Sequence, residues 1–425
     1  VMPTVGTFPT SRQDIAGISI ADLAAQFSTP TFVYDAAVIV ERIEDLKAFD
    51  LVRYAQKACS NIAILELTRR HSVVVDAVSA GEIHRALAAG YQGGTNADGV
   101  HEIVYTADIF DADALDLVVE HDIHVNCGSP DMIDQLGARK SGAEITLRLN
   151  PGFGHGHSQK TNTGGQQSKH GIWYEQIEEC KQRAAKHGIT ITGLHMHIGS
   201  GTDLEHLAQV CGAMEKAVRE VGNTINTISA GGGLPVPYNA EQSYVNLDEY
   251  FSLWDSSRKN LESELGHPIK LEIEPGRYLA AESGNLVTEI RAVKEMGDNT
   301  FYLVDAGFNN LARPIMYGSY HPISVVTADG SDREDLDVVV GGPLCESGDI
   351  FTQEEGGFVS KRSLPKAKVG EFLVLECAGA YGSVMGSNYN SKPLAAEVMI
   401  AEGKAHLIRE RQSYQDLMRG ERLLG

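Results

Sequence analysis

The stretch RYAQKACSN, residues 53–61, sets a lysine where a strand gives way to a helix. Its apolar lead-in, LVRYAQ (51–56), reads as a buried strand. Directly after it, IAILELTRR (62–70) repeats its apolar residues at helical spacing. A long, strongly hydrated side chain at that junction needs a reason. As a lone residue Lys57 would read as an ordinary surface lysine. Its meaning depends on what the rest of the chain builds around it.

Working outward, the same unit recurs. Short apolar or β-branched runs lie at 73–78 (VVVDAV), 102–105 (EIVY), 123–126 (IHVN), 145–150 (ITLRLN), 191–197 (ITGLHMH), 225–230 (INTISA) and 270–274 (KLEIE). Amphipathic stretches such as GEIHRALAAG and LEHLAQVCGAMEKAVREV separate them. Strands alternating with helices predict a parallel sheet, and the number of units fits a (β/α)8 TIM-type barrel. A doubly wound open sheet is the rival, weakened because no GxGxxG follows the first strand. After about residue 285 the rhythm changes to strand-like runs with turns between them, including LVTEIRAVKEM, TFYLVDAG, LDVVVGGP, EFLVLECAGA and AAEVMIAEGKAHLI. These predict a mostly antiparallel β domain, and PTFVYD (30–35) reads as a strand able to join it. The expected division is a barrel over 36–285 and a β domain from 1–35 with 286–425.

The chain has 425 residues, enough for two domains, and 42% hydrophobic with 22% charged residues is ordinary for a soluble globular protein. A net charge of −21 argues against nucleic acid or an anionic membrane as partner. Cys59, Cys127, Cys180, Cys211, Cys345 and Cys377 include no CxxC pair, which points to a reduced compartment rather than a disulfide scaffold. Residues 1–17, VMPTVGTFPTSRQDIAG, lack a basic region followed by an apolar one, and no run reaches the length of a membrane span. The expected location is the cytoplasm.

In a barrel, catalytic groups sit at the C-terminal ends of strands. Those ends carry Lys57, Asp76 with Ser79, Asn126, Asn150, His195 with His197, Gly231-Gly232-Gly233, and Glu274 with Arg277. At a barrel mouth Lys57 reads as a Schiff-base amine, a role that needs partial desolvation. The triple glycine is either a turn or a row of backbone N–H groups for a phosphate. Ser200 and Gly201, in HIGSG, offer a second anion-contacting loop. Glu272 and Glu274 alternate onto one strand face, where a carboxylate is costly unless paired. One reading pairs Glu274 with Arg277. The other has Glu274 hold a protonated ring nitrogen, as pyridoxal phosphate requires. His195 and His197, two apart, raise a metal site, but no third ligand of HExxH or CxxC type accompanies them, so no metal is expected. Instead one of these histidines stacks on a cofactor ring. GFGHGHSQKTNTGG (152–165) reads as a loop near the barrel mouth.

RYAQKACSN, VDAVSAGEIHRALAAGY, GLHMHIGSG, SAGGGLPVPY, EIEPGRYLAAESG, VDAGFNNLARPIMYGSYHPI, GGPLCESGDIFT and GAYGSVMGSNYNSKP together resemble the diaminopimelate decarboxylases, which belong to the alanine-racemase-like (fold type III) pyridoxal-phosphate group. The likeness runs from about residue 30 to about 410 with the motifs in order, and the 152–165 loop is similar to that of the enterobacterial type.

The resemblance implies pyridoxal 5'-phosphate as cofactor and meso-diaminopimelate as substrate, decarboxylated to L-lysine. It implies that Lys57 binds the cofactor covalently, that His197 stacks on its ring, and that Ser200, Gly231, Gly232 and Gly233 hold its phosphate. Glu274 would bind the pyridine nitrogen, Arg277 would lie between phosphate and substrate, and Tyr389 would approach the phosphate. Asp76 and Gly276 complete the expected cofactor site. Arg313 and Tyr317 would take the substrate's distal carboxylate. Cys345 and Glu346 would enter the site from the second subunit of a homodimer, Glu346 on the distal ammonium and Cys345 as a candidate to reprotonate Cα.

Three rivals remain. A decarboxylase of ornithine, lysine or arginine would not need Arg313 with Tyr317, and its dimer-crossing motif often has aspartate where Glu346 follows Cys345. A racemase of this fold would place arginine, not Glu274, at the ring nitrogen. A non-catalytic regulatory relative could dispense with Lys57 and the glycines.

Overall fold

The computed structural model describes residues 8–154, 162–197 and 203–425. The chain divides into two compact units: Val40–Pro235 with Val245–Tyr278, and Val1–Ile39 with Val236–Tyr244 and Leu279–Gly425.

The first unit is the expected barrel. Its strands are β1 (Leu51–Ala55), β2 (Val74–Ala77), β3 (Ile103–Ala107), β4 (His124–Cys127), β5 (Glu144–Asn150), β6 (Thr190–His195), β7 (Thr227–Ser229) and β8 (Lys270–Ile273). Each pairs in parallel with the next, and β8 returns to β1 through Glu272 opposite Leu51 and Ile273 opposite Val52. Burial on both faces explains why these strands read as apolar runs rather than as alternation.

The helices between them start where the sequence offers a cap. Asn61 accepts from the Ala63 amide ahead of Ile62–Arg70, and Ser79 accepts from the Glu82 amide ahead of Ala80–Ala88. The helix Leu204–Val221 buries Val210, Cys211, Met214, Ala217 and Val218, one stripe at helical spacing. Each such side chain contributes about 1.5–3 kcal/mol when fully withdrawn from water.

The second unit is built on the long strand Gly284–Met296. Its first half pairs antiparallel with Thr31–Asp35 on one side and with Phe372–Leu375 on the other. Thus the PTFVYD segment joins the C-terminal sheet, as expected. The second half of the long strand hairpins with Asn299–Val304. Most pairings are antiparallel, but Asn299–Val304 with Asp335–Gly341, and Thr31–Asp35 with Ala396–Ala401, are parallel. Ala396–Ala401 turns into Lys404–Arg409 through Glu402 and Gly403, both at positive φ (51° and 75°), the geometry a two-residue hairpin needs. Ile15, Ile20, Leu23, Val33, Val287, Val326, Val374, Val398 and Ile400 form a core of this unit. No described helix is long and apolar enough to cross a membrane.

Candidate active site

Lys57 lies on the single 3-10 turn Gln56–Ala58 that follows β1, half-buried. Its neighbours fix that turn. The Gln56 side chain donates to the carbonyls of Asp76 (3.0 Å) and Glu82 (3.1 Å), tying the end of β1 to the end of β2. The Tyr54 hydroxyl donates to the Cys59 carbonyl at 2.8 Å. The Ala55 amide donates to Pro275 O at 3.0 Å, bringing the EPGR segment alongside. Gly276 packs closely there: a Cβ would stand 3.2 Å from Ala55 O, so the backbone would have to give by a few tenths of an ångström. A lysine on so constrained a turn has its direction set by backbone rather than by solvent.

Two buried acids flank the mouth, and their environments push them apart. Glu274 is 4% exposed, just beyond β8. Burial alone would raise its carboxyl, but the ion pair with His195, assisted by Arg53 and Arg148, outweighs burial and holds it well below the usual carboxylate range. The Ser229 hydroxyl donates to the same Glu274 oxygen at 3.2 Å and accepts from the Gly231 amide at 3.1 Å. Asp76 is as buried. Here burial, then the Glu274 charge, raise the carboxyl well above its usual value, and the Thr106 hydrogen bond and Lys57 offset only part of that. Thr106 Oγ1 donates to Asp76 Oδ1 at 2.6 Å and accepts from Asn126 Nδ2 at 2.9 Å. One acid therefore keeps its charge and the other tends to keep its proton.

The glycines form a cradle that tolerates no side chain. Gly231 and Gly233 have φ of +66° and +97°. A Cβ on Gly231 would stand 2.2 Å from Met196 O, and one on Gly232 would stand 2.7 Å from Glu274 O. The Gly232 amide donates to His197 Nδ1 at 3.3 Å, so that nitrogen carries no proton. Burial, then Lys57, Arg148, His195 and His170, lower the His197 pKa well below its usual value, and the ring is neutral at pH 7.

The sequence left open whether Glu274 pairs with Arg277, and the ion pair that Glu274 makes is with His195. That contact commits His195 to the acid, which separates the roles of the two histidines. His195 Nδ1 is buried without a hydrogen-bond partner among the described residues, which marks an incomplete polar site. Thr106, Asn126 and Ser229, which hold the acids, were missed or given no role from sequence; inward alternation along β3, β4 and β7 is the signal that would have found them. Arg277 opens the short helix Arg277–Ala280. Ser200, and the loop residues 155–161, lie outside the described residues.

This constellation fits pyridoxal phosphate. A half-buried amine, a charged buried carboxylate, a neutral flat ring and a side-chain-free cradle of amides are the donor set that cofactor needs. At the other end of the barrel a cavity of about 700 Å³ is lined by Arg53, His101, His124, Thr146 and Glu272. Lys57, Glu274 and the glycines 231–233 are not among its lining residues.

The β unit carries the remaining expected residues. Arg313, 4% exposed, opens the helix Arg313–Tyr317, with Tyr317 half-buried at its end. Arg313 Nη1 lies 2.9 Å from His321 Nε2, and its guanidinium sits 4.7 Å from the centre of the Tyr238 ring. Cys345 and Glu346 are exposed. The Cys345 amide donates to Asn390 Oδ1 at 2.7 Å, next to Tyr389, which stacks on Phe308 at 5.4 Å. Thus Cys345 and the Tyr389 turn are held together. Neither His321 nor Tyr238 was singled out from the sequence.

Residues 37–281 match the family model described as the pyridoxal-binding domain of pyridoxal-dependent decarboxylases. The chain is 54% identical to the diaminopimelate decarboxylase of Escherichia coli K12 over 95% of its own length and 96% of the relative's. It is 53% identical to that of Streptomyces coelicolor, covering 99% and 95%. Among solved structures, one diaminopimelate decarboxylase superposes with a TM-score of 0.90 at 54% identity, covering 93% of this chain and 94% of that one. The Helicobacter pylori enzyme in complex with L-lysine superposes with a TM-score of 0.82 at 29% identity, covering 94% and 98%.

Proposed function

The chain belongs to the pyridoxal-dependent decarboxylase family, and we infer that it is a member that removes CO2 from meso-diaminopimelate to leave L-lysine. The observation that carries this reading is the conjunction of Lys57, the Glu274–His195 pair and the amide cradle at one barrel mouth, in a chain so similar to diaminopimelate decarboxylases along its whole length. Pyridoxal 5'-phosphate, when bound, supplies an electron sink for the pair left at Cα as CO2 departs.

The residues divide that work. Lys57 is the amine that would hold the cofactor at its aldehyde carbon. Glu274, kept charged by His195, keeps the facing ring nitrogen protonated. His197, neutral, covers one ring face. The amides of Gly231, Gly232 and Gly233, with Ser200 and Tyr389, hold the phosphate, and Arg277 lies between phosphate and substrate. Asp76 and Gly276 shape the floor around Lys57. Arg313 offers the planar fork that a distal carboxylate needs, with Tyr317 beside it. Glu346 would take the distal ammonium, and Cys345 is the candidate to return the proton to Cα. Both are exposed on their own chain, as groups that complete a partner's site would be, so we propose a homodimer with shared sites. The barrel, expected over 36–285, would be the cofactor domain, and the β domain, expected over 1–35 and 286–425, would contribute to the active sites of the dimer. We place the enzyme in the cytoplasm, without nucleic-acid or membrane partners, on its net charge of −21.

The test is CO2 and L-lysine release from meso-diaminopimelate by the purified holoenzyme, beside Lys57→Ala. Equal amounts of both products from the wild type and none from the variant support the reading. No release from the wild type overturns it.

A further inference from the structure

We propose that His321 is a positioning residue for substrate selection: its imidazole, protonated on Nδ1 alone, holds the Arg313 guanidinium in the orientation that receives the substrate's distal carboxylate. This rests on the reading of Arg313 given above.

The hydrogen bonds leave one arrangement of protons. Arginine has donors only, so His321 Nε2, 2.9 Å from Arg313 Nη1, accepts. The Glu376 carbonyl can only accept, so His321 Nδ1, 3.0 Å from it, donates. Both ring nitrogens are thereby committed, and a single neutral tautomer satisfies both bonds. An imidazolium would set donor against donor and cation against cation.

The ring itself is immobilised. His321 is 2% exposed, and its own carbonyl accepts from Arg362 Nη1 at 2.8 Å. Its edge meets Tyr238 with ring centres 5.5 Å apart and planes at 82°. The face of the same Tyr238 carries the Arg313 guanidinium, 4.7 Å from the ring centre. Arg313, Tyr238 and His321 thus each contact the other two. All three belong to one compact unit.

Two physical consequences follow. Arginine is a flexible side chain, and fixing its fork before substrate arrives removes an ordering penalty from binding. A neutral acceptor also orients the fork without cancelling its charge, whereas a carboxylate in the place of His321 would compete with the substrate's own. An imidazole accepting through Nε2 is therefore suited to holding an arginine whose task is to meet an anion.

The rival is that His321 merely fills the β unit. Three substitutions separate the two. His321→Asn keeps a donor for the Glu376 carbonyl and withdraws the acceptor from Arg313. His321→Gln places an acceptor near the Nε2 position. His321→Leu removes both bonds. Each holoenzyme, with Arg313→Lys beside it, is assayed for kcat and KM with meso-diaminopimelate. Cofactor absorbance and inhibition by L-lysine, the product that keeps the distal carboxylate, are read on the same samples.

The expected result is a KM for diaminopimelate raised roughly fivefold to tenfold in His321→Asn and His321→Leu, the scale of leaving one rotamer-rich side chain unordered. In those variants inhibition by L-lysine weakens by a similar factor, kcat and cofactor absorbance stay as in the wild type, and His321→Gln restores most of the loss. If Arg313→Lys raises KM but His321→Asn does not, the reading of Arg313 stands and the positioning role is overturned. If neither raises KM, the reading of Arg313 fails and takes this inference with it. If kcat and cofactor absorbance move together with KM and His321→Gln rescues nothing, His321 serves the fold and the proposal is overturned.

Discussion

Around Glu274 the strong contacts come from barrel strands and strand ends: His195 at the end of β6, Ser229 at the end of β7 and, electrostatically, Arg53 and Arg148 within β1 and β5. Around Arg313 they come from a five-residue helix and from loops, with His321 a few residues downstream and Tyr238 far away in sequence. The first region is anchored by a closed sheet whose geometry leaves little freedom. The second is built on connections that can change without disturbing a barrel. That contrast suits a division in which the barrel supplies chemistry and the β unit supplies selection. It also predicts which kinetic parameter each region controls.

The largest effect should come from Glu274→Gln. Losing the charge that faces the reacting cofactor is expected to lower kcat by about 10²–10³-fold, the scale of losing one preorganised electrostatic contact. KM for diaminopimelate should change little, and steady-state kinetics on the cofactor-saturated variant would show it. A rise in KM with kcat intact would break the division.

Gly232→Ala should act on cofactor binding. Its Cβ would stand 2.7 Å from Glu274 O and 2.9 Å from His197 Cε1, so backbone or ring must move. Overpacking of about 1–3 kcal/mol corresponds to roughly 5–150-fold weaker binding. An absorbance titration of the apoprotein with pyridoxal phosphate measures it. Unchanged affinity would mean that the cradle does not hold the phosphate.

The smallest effects concern stability, and the two acids should differ in sign. Glu274 has its folded pKa lowered to about 2 from its ordinary value of 4.5, so its contribution is present above the unfolded pKa and is lost as pH falls through the folded one. Apo Glu274→Gln should therefore melt below the wild type at pH 7, with the gap narrowing at acid pH. Asp76 has its folded pKa raised above its ordinary value of 3.8, so stability declines as pH rises from the unfolded pKa towards the folded one. Asp76→Asn should match or exceed the wild type at pH 8, with the advantage fading near pH 4. Shifts of a few degrees are expected, since about 1 kcal/mol moves a domain of this size by roughly 2–4 °C. Thermal melts of the apoproteins across pH decide it. Shifts of the same sign would refute the opposed environments.

The same contrast explains what could be read from sequence. Strands buried on both faces appear as apolar runs, so β1 to β8 were located close to their observed ends, and Lys57 fell at a strand end by counting alone. Short-range chemistry was legible too: the cradle at 231–233 needs only neighbouring glycines. Glu274 was recognised as a buried acid, but its partner was not. His195 is remote in sequence, and it reaches Glu274 because β6 and β8 flank β7 in the sheet. The Arg313 set is harder still. Tyr238 lies in a short insertion between β7 and β8 that joins the β unit, and no periodicity marks it. For Arg313, Tyr317, Cys345, Glu346 and Tyr389 it was resemblance, not spacing, that singled them out.

The central claim is that one barrel supplies decarboxylation and a separate set of residues chooses the substrate. Its most direct test is CO2 release by the wild-type holoenzyme from meso-diaminopimelate, L-ornithine, L-lysine and L-arginine, measured side by side as kcat/KM. The account predicts release from diaminopimelate and none above background from the three substrates that lack a distal carboxylate. Comparable release from any of those three would contradict it, because Arg313 would then be selecting nothing.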